Sequence, residues 1–290
     1  MKITISIGPI GPEDFGRQLF EELCAILPEG RRERNNLEAF GCTSLDERMP
    51  AVNQLLKKLN EAGLSPWTRG GPIDRSSEYW FSRDRVYDDT DLAGCDLFTF
   101  EPKFHADGDT RDRHGRLRLG VKTIKRHWNI ARGDLILSTY IVPDRIKRAM
   151  EVAALSHLEF RAIVPMTRSE DGNPTMWDRL DGPWWELRSD LVMPPLSPSV
   201  ELRDTSGRSI RDGDFSNGVL LREGFFVRPE PHYTASPLRS MPAFDLAQSF
   251  EPSGQPHNDC YHLVVSRKFL EFARKNEFDV RWVPVRIDPD

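Results

Sequence analysis

Cysteine is scarce in this chain and never closely paired. Cys24, Cys42, Cys95 and Cys260 are scattered through 290 residues, with no CxxC among them. That argues against a disulfide framework and for reduced thiols in a cytoplasmic setting. No apolar run approaches the roughly 18 residues of a membrane-spanning helix, so no membrane partner is expected. The opening MKITISIGPIGPEDF has one lysine and no long apolar core, and reads as a β-strand rather than a signal peptide. Basic residues are not in excess. The net charge of −5 gives no general nucleic-acid surface and suits a basic protein partner better. A phosphate-cradling glycine loop, a G-x-S-x-G elbow and carboxylates paired at fixed spacing are also missing, so no catalytic residue is assigned.

What is present is enough apolar residue for a core (38%) under a heavily charged surface (29%). The 22 prolines favour β-rich structure with irregular connections, because proline neither donates to a ladder nor continues a helix. Ile3 to Ile7 alternates as a half-buried strand does. Helices are expected from Glu13 to Ile26, and from Asp46 to Ala62 with Gly63 as a stop. The polar run Arg31 to Arg34 reads as a loop.

One pattern occurs twice. Leu135 to Pro165 and Leu263 to Val285 each open with an apolar run ending in Ser (Ser138, Ser266). Each continues into an amphipathic helix and closes on a short strand holding Arg161 or Arg281. This predicts an α+β fold of mixed sheets with an internally duplicated strand–helix–strand unit. The stripes are Ile146, Met150 and Ala153 in the first copy and Phe269, Phe272 and Ala273 in the second. Ser266, between strand and helix, is where a helix cap belongs. The polar stretch 167–174 is the expected linker between an N-terminal half (1–166) and a C-terminal, β-rich half (175–290).

Two sets of residues are candidates for function. Tyr79 and Arg83 lie in EYWFSRDRVY, and Trp184 and Trp185 follow Gly182-Pro183; aromatics and arginine are the usual anchors of a protein interface. His257, Cys260 and His262, in HNDCYH, are zinc-competent ligand types at a spacing that matches no standard zinc pattern. Zinc is the only cofactor they raise; the reading without it has no cofactor.

The segments RVYDDTDLAGCDLFTFEP, LILS…LEFRAIVP, PWWELRSDLVMPPL and FDLAQSF…LVVS…VRWVPV resemble a group of bacterial proteins suspected of immunity function, the DUF1629-type and the myxobacterial double-CXXCG-type groups. The resemblance covers chiefly 87–165 and 184–285. It implies a bacterial, cytoplasmic protein that binds a cognate toxin or another protein. The CxxCG pair is missing here, so no zinc ribbon carries over. The expected function is therefore a non-enzymatic protein-binding factor. The alternatives are a metal-dependent enzyme using His257, Cys260 and His262, and a homodimer paired through exposed sheet edges.

Overall fold

The computed structural model describes residues 1–34, 37–67, 78–106, 108–120, 123–133, 139–166, 174–200, 202–203, 210, 220–221, 230–252 and 261–290. They form an α+β fold in two compact units. The first is built around Met1–Asp91, and the second holds most of the described residues from Leu92 onward.

The first unit runs β1 (Lys2–Ile10), α1 (Pro12–Phe15), α2 (Arg17–Ile26), β2 (Arg31–Arg34), β3 (Leu37–Asp46), α3 (Pro50–Glu61), β4 (Ser65–Trp67) and β5 (Glu78–Val86). The sheet order is β2-β3-β1-β5-β4, antiparallel except for β4 beside β5. Ile5 and Ile7 of β1 pack with Phe20 and Leu23 of α2 and with Val52, Leu55 and Leu59 of α3. The helix expected from Glu13 breaks in two at Gly16, whose φ of +91° is costly for any residue with a Cβ. The next helix starts at Pro50 because Asp46 still belongs to β3, and proline tolerates the first turn, where its missing N–H has no partner. Arg31–Arg34 is an edge strand and not a loop; the exposed charges of Arg31, Arg32 and Glu33 discourage further strand addition.

The second unit begins in α4 (Asp89–Ala93) and continues through β6 (Leu97–Pro102), β7 (Gly108–Arg111), β8 (Leu117–Leu119), β9 (Ala131–Arg132), β10 (Tyr140–Pro143), α5 (Asp144–Val152), β11 (Glu159–Ala162), β12 (Val164–Pro165) and β13 (Trp184–Arg188). After β14 (Leu202–Arg203) and β15 (Leu220–Leu221) come β16 (His232–Thr234), α6 (Ala235–Arg239), β17 (Leu246–Pro252), β18 (Tyr261–Ser266), α7 (Arg267–Lys275), β19 (Val280–Pro284) and β20 (Arg286–Asp288).

The duplication is visible as matching topology. β10 and β11 run parallel with β13 antiparallel between them, and β18 and β19 run parallel with β6 antiparallel between them. β9 flanks β10 as β17 flanks β18, which completes two four-stranded sheets. The helices end alike. Ala154 (φ 48°) and Glu277 (φ 52°) turn left-handed, and the next residue donates back across the last turn, Leu155 N to Met150 O (3.3 Å) and Phe278 N to Ala273 O (2.9 Å). Both are Schellman stops closed by a buried apolar residue, Leu155 or Phe278.

The two copies therefore lie in one unit and not on either side of a linker at 167–174, and the change of unit falls at Asp91/Leu92. Residues 167–173 lie outside the described residues. The N-terminal helices pack within their own unit, on the sheet that β1, β3 and β5 belong to.

Ser266 caps α7 as expected. Its hydroxyl accepts from Phe269 N at 3.2 Å and donates to Asp245 Oδ1 at 2.8 Å, so both its roles are taken by structure. In the first copy Pro143 occupies the cap position, and Ser138 lies outside the described residues. Ser266→Ala is expected to lower stability by about 1 kcal/mol. A urea titration reads this as a lower midpoint with unchanged slope; an unmoved midpoint would mean the helix does not depend on this cap.

Candidate interaction surface

β11 is an edge strand, in the order β11-β13-β10-β9. Its inner side pairs with β13 in the register Glu159↔Arg188, Phe160↔Leu187, Arg161↔Glu186 and Ala162↔Trp185. Among the described residues no strand and no loop backbone bonds to its outer side. Arg161 and Ala162 are exposed, and Glu159 and Phe160 are half-buried. The outer N–H and C=O groups of such a strand are a template for another extended chain.

Beside this edge sits a held aromatic pair. Alternation puts Phe160 and Trp185 on one face of the sheet, the face that α5 approaches through Lys147. The Lys147 ammonium lies 4.7 Å from the Trp185 ring centre and 5.5 Å from that of Phe160, and pairs with Glu151 at 2.9 Å. Trp185 Nε1 donates to Asp144 Oδ1 at 2.9 Å. The indole is thus fixed at its polar end and clamped over its face while its ring stays half-buried. At the last residue of α5 Val152 is 88% exposed. An ordered aromatic with little rotamer freedom left to lose is what an interface anchor requires.

Trp184 is not such an anchor. Alternation turns it to the opposite face, where it is 1% exposed in a core with Ile141, Trp128 and Trp177. Tyr79 is corrected in the same way: it is buried in the core of the first unit, edge-on to Phe81 with ring centres 6.2 Å apart. Burial pushes its hydroxyl up to about 12. Arg83 shares the face of Phe81, as alternation predicts, but its guanidinium bonds Glu47 at 2.8 Å at the rim of that core. Of the four expected anchors, Trp185 alone lies beside β11, whose outer side is unpaired among the described residues.

His262 lies in β18, half-buried, with its backbone N–H on Ser249 Oγ at 3.0 Å. His257 and Cys260 lie outside the described residues. Among the described residues no three His, Cys, Asp or Glu side chains gather as metal ligands would.

Two carboxylate nodes in the second unit have no sequence signal. Asp288 Oδ2 accepts from Ser197 Oγ at 2.5 Å and Ser199 Oγ at 2.6 Å, and Oδ1 faces His232 Nδ1 at 3.0 Å. These bonds, Ser197's first, hold the carboxyl down at about 2. The hydroxyls meet the carboxylate and not the imidazole, so the set is no Ser–His–Asp relay. It clasps β20 to β16 and to the Ser197–Ser199 segment. Asp245 is the second node. Its Oδ2 accepts from Ser156 N (2.9 Å) and Lys268 Nζ (3.2 Å), and its Oδ1 from Ser266 Oγ (2.8 Å). It ties the loop after α5 to the cap of α7, one copy to the other.

Compared with known protein families, curated proteins and solved structures, the chain matches none.

Proposed function

We propose that the chain is a non-enzymatic binding protein that takes up an extended segment of a partner polypeptide as an added strand on β11. Phe160 and Trp185 serve as its anchors. The observation that carries this reading is the outer side of β11, unpaired among the described residues, beside an indole fixed by Asp144 and Lys147. Strand addition draws affinity from main-chain hydrogen bonds and specificity from flanking side chains. The resemblance to suspected bacterial immunity proteins gives the partner a class, a toxin that the chain neutralises, and the net charge of −5 favours a basic one.

Co-purification with products of neighbouring reading frames, followed by titration, tests the reading. Wild type is expected to hold a toxin partner with Kd below about 1 μM. Trp185→Ala and Phe160→Ser are expected to weaken it at least about tenfold, as loss of a hot-spot side chain does, with both variants folded by circular dichroism. A partner held equally by all three proteins, or none held at micromolar strength, overturns it.

A further inference from the structure

Among the described residues no strand pairs with the outer side of β11, and the chain itself carries a strand of suitable sequence. We propose that β11 pairs antiparallel with β11 of a second copy, across a two-fold axis midway between the two Phe160 residues. This rests on reading β11 as the docking edge, and it adds an occupant and a means of control.

The argument is one of register. Residues directly opposite in an antiparallel pair share a face, and a two-fold axis normal to the sheet returns each face to itself. The axis must then pass midway between one residue of the strand and the same residue of the second copy. Centred on Glu159, it sets two carboxylates opposite each other; centred on Arg161, two guanidiniums. Centred on Phe160, it sets each Glu159 opposite Arg161 of the second copy and the two Phe160 rings together on the other face. Like charges directly opposite are destabilising and unlike ones stabilising, so only the Phe160 register is self-complementary.

The sheet already prepares this pattern. Across the inner pair, Arg188 stands opposite Glu159 and Glu186 opposite Arg161. A second copy extends each row with alternating sign, Arg188–Glu159–Arg161 in one and Glu186–Arg161–Glu159 in the other. In the single chain Arg161 Nε lies 3.2 Å from Glu159 Oε1, with the side chains 44% and 41% exposed. Both charges remain near water and only exchange partners, so the desolvation penalty of a buried pair is avoided. Two four-stranded sheets become one continuous sheet. The strand has 4 residues, short for the roughly 800 Å² per partner of a stable interface, so the association is weak and reversible. Self-pairing and partner capture then exclude each other, and the dimer is a store from which a tighter-binding strand releases the chain.

Sedimentation equilibrium on the full chain, from about 1 to 200 μM around the expected micromolar Kd, tests this. Wild type is expected to dimerise reversibly, less so in high salt. Glu159→Arg alone and Arg161→Glu alone are each expected to weaken self-association at least tenfold, because each sets like charges opposite each other at both ends. Mixed one to one, the two variants are expected to dimerise again, since each Arg then faces a Glu. Melting curves confirm that both variants are folded. A folded wild type that stays monomeric, variants that dimerise like wild type, or a mixture that fails to recover overturns the proposal. A monomeric wild type that still loses a toxin partner on Trp185→Ala removes self-pairing and keeps the binding reading. A charge-dependent dimer that no polypeptide displaces keeps self-pairing and removes the binding reading.

Discussion

Asp245→Ala is expected to lower the unfolding free energy by about 3 kcal/mol, the upper range for removing a buried carboxylate and leaving its hydrogen-bond donors behind. The side chain is 9% exposed, and four groups point at it: Ser156 N, Ser156 Oγ, Ser266 Oγ and Lys268 Nζ. Alanine strands the Ser156 N–H, loosens the Ser266 cap and leaves Lys268 with only the Ala154 carbonyl at 2.8 Å. The melting temperature is expected to fall by roughly 6–12 °C at this chain length. Asp245→Asn, which keeps an acceptor and loses the charge, belongs in between. Burial works against the charge of Asp245, but Ser156, Ser266 and Lys268 outweigh it and hold the carboxyl below the usual range. Its folded value is depressed, so its stabilisation is present above the unfolded value and disappears as pH falls through the folded one. The wild-type advantage over alanine is therefore constant from pH 5 to 7 and shrinks in acid. A loss under about 1 kcal/mol, within the reach of an ordinary surface site, would show that the two copies do not depend on this node.

The duplicated unit was legible because its signals are local: an apolar run, a helix stripe and a closing strand, repeated. Its intervening strands were not. β13 follows the first copy in sequence and β6 precedes the second by a long way, so no local window joins either strand to its unit. Alternation sorts the side chains of Trp184-Trp185 and of Tyr79 to Arg83 into faces, but it does not say which face another layer covers. Trp184 and Tyr79 therefore lie buried in cores, whereas Trp185 stays half-buried. Asp245 meets Ser156, and Asp288 meets Ser197, across 89 and 91 residues, beyond any motif spacing. The edge position of β11 leaves no mark on the four letters EFRA, because an edge is defined by what fails to pair with it.

Glu251→Gln is expected to make the protein less sensitive to rising pH, the reverse of Asp245. Glu251 is 4% exposed in β17. Its Oε1 accepts from Leu196 N at 2.8 Å, and its Oε2 has no hydrogen-bond partner among the described residues. Burial outweighs the Leu196 bond and raises the carboxyl above its ordinary value, and Tyr233, 1% exposed, is raised by its own burial and by the Glu251 charge. Below the unfolded value near 4.5 both states hold the proton. As pH rises from there toward the folded value, the unfolded chain gives up its proton while the native one keeps it, and stability falls. Each tenfold gain in the folded carboxyl's proton affinity costs about 1.4 kcal/mol on the alkaline side. Glutamine keeps the acceptor for Leu196 and has no proton to lose; its amide N–H₂ replaces one orphan with another, so at pH 4 the variant is expected to equal wild type or fall slightly below it. At pH 8 it is expected to be more stable by about 1–3 kcal/mol, the penalty for an unsatisfied buried polar group and more when that group is charged. Denaturant titrations of both proteins from pH 4 to 8 decide it. Curves that stay parallel would mean that Glu251 ionises in the folded chain as readily as in the unfolded one.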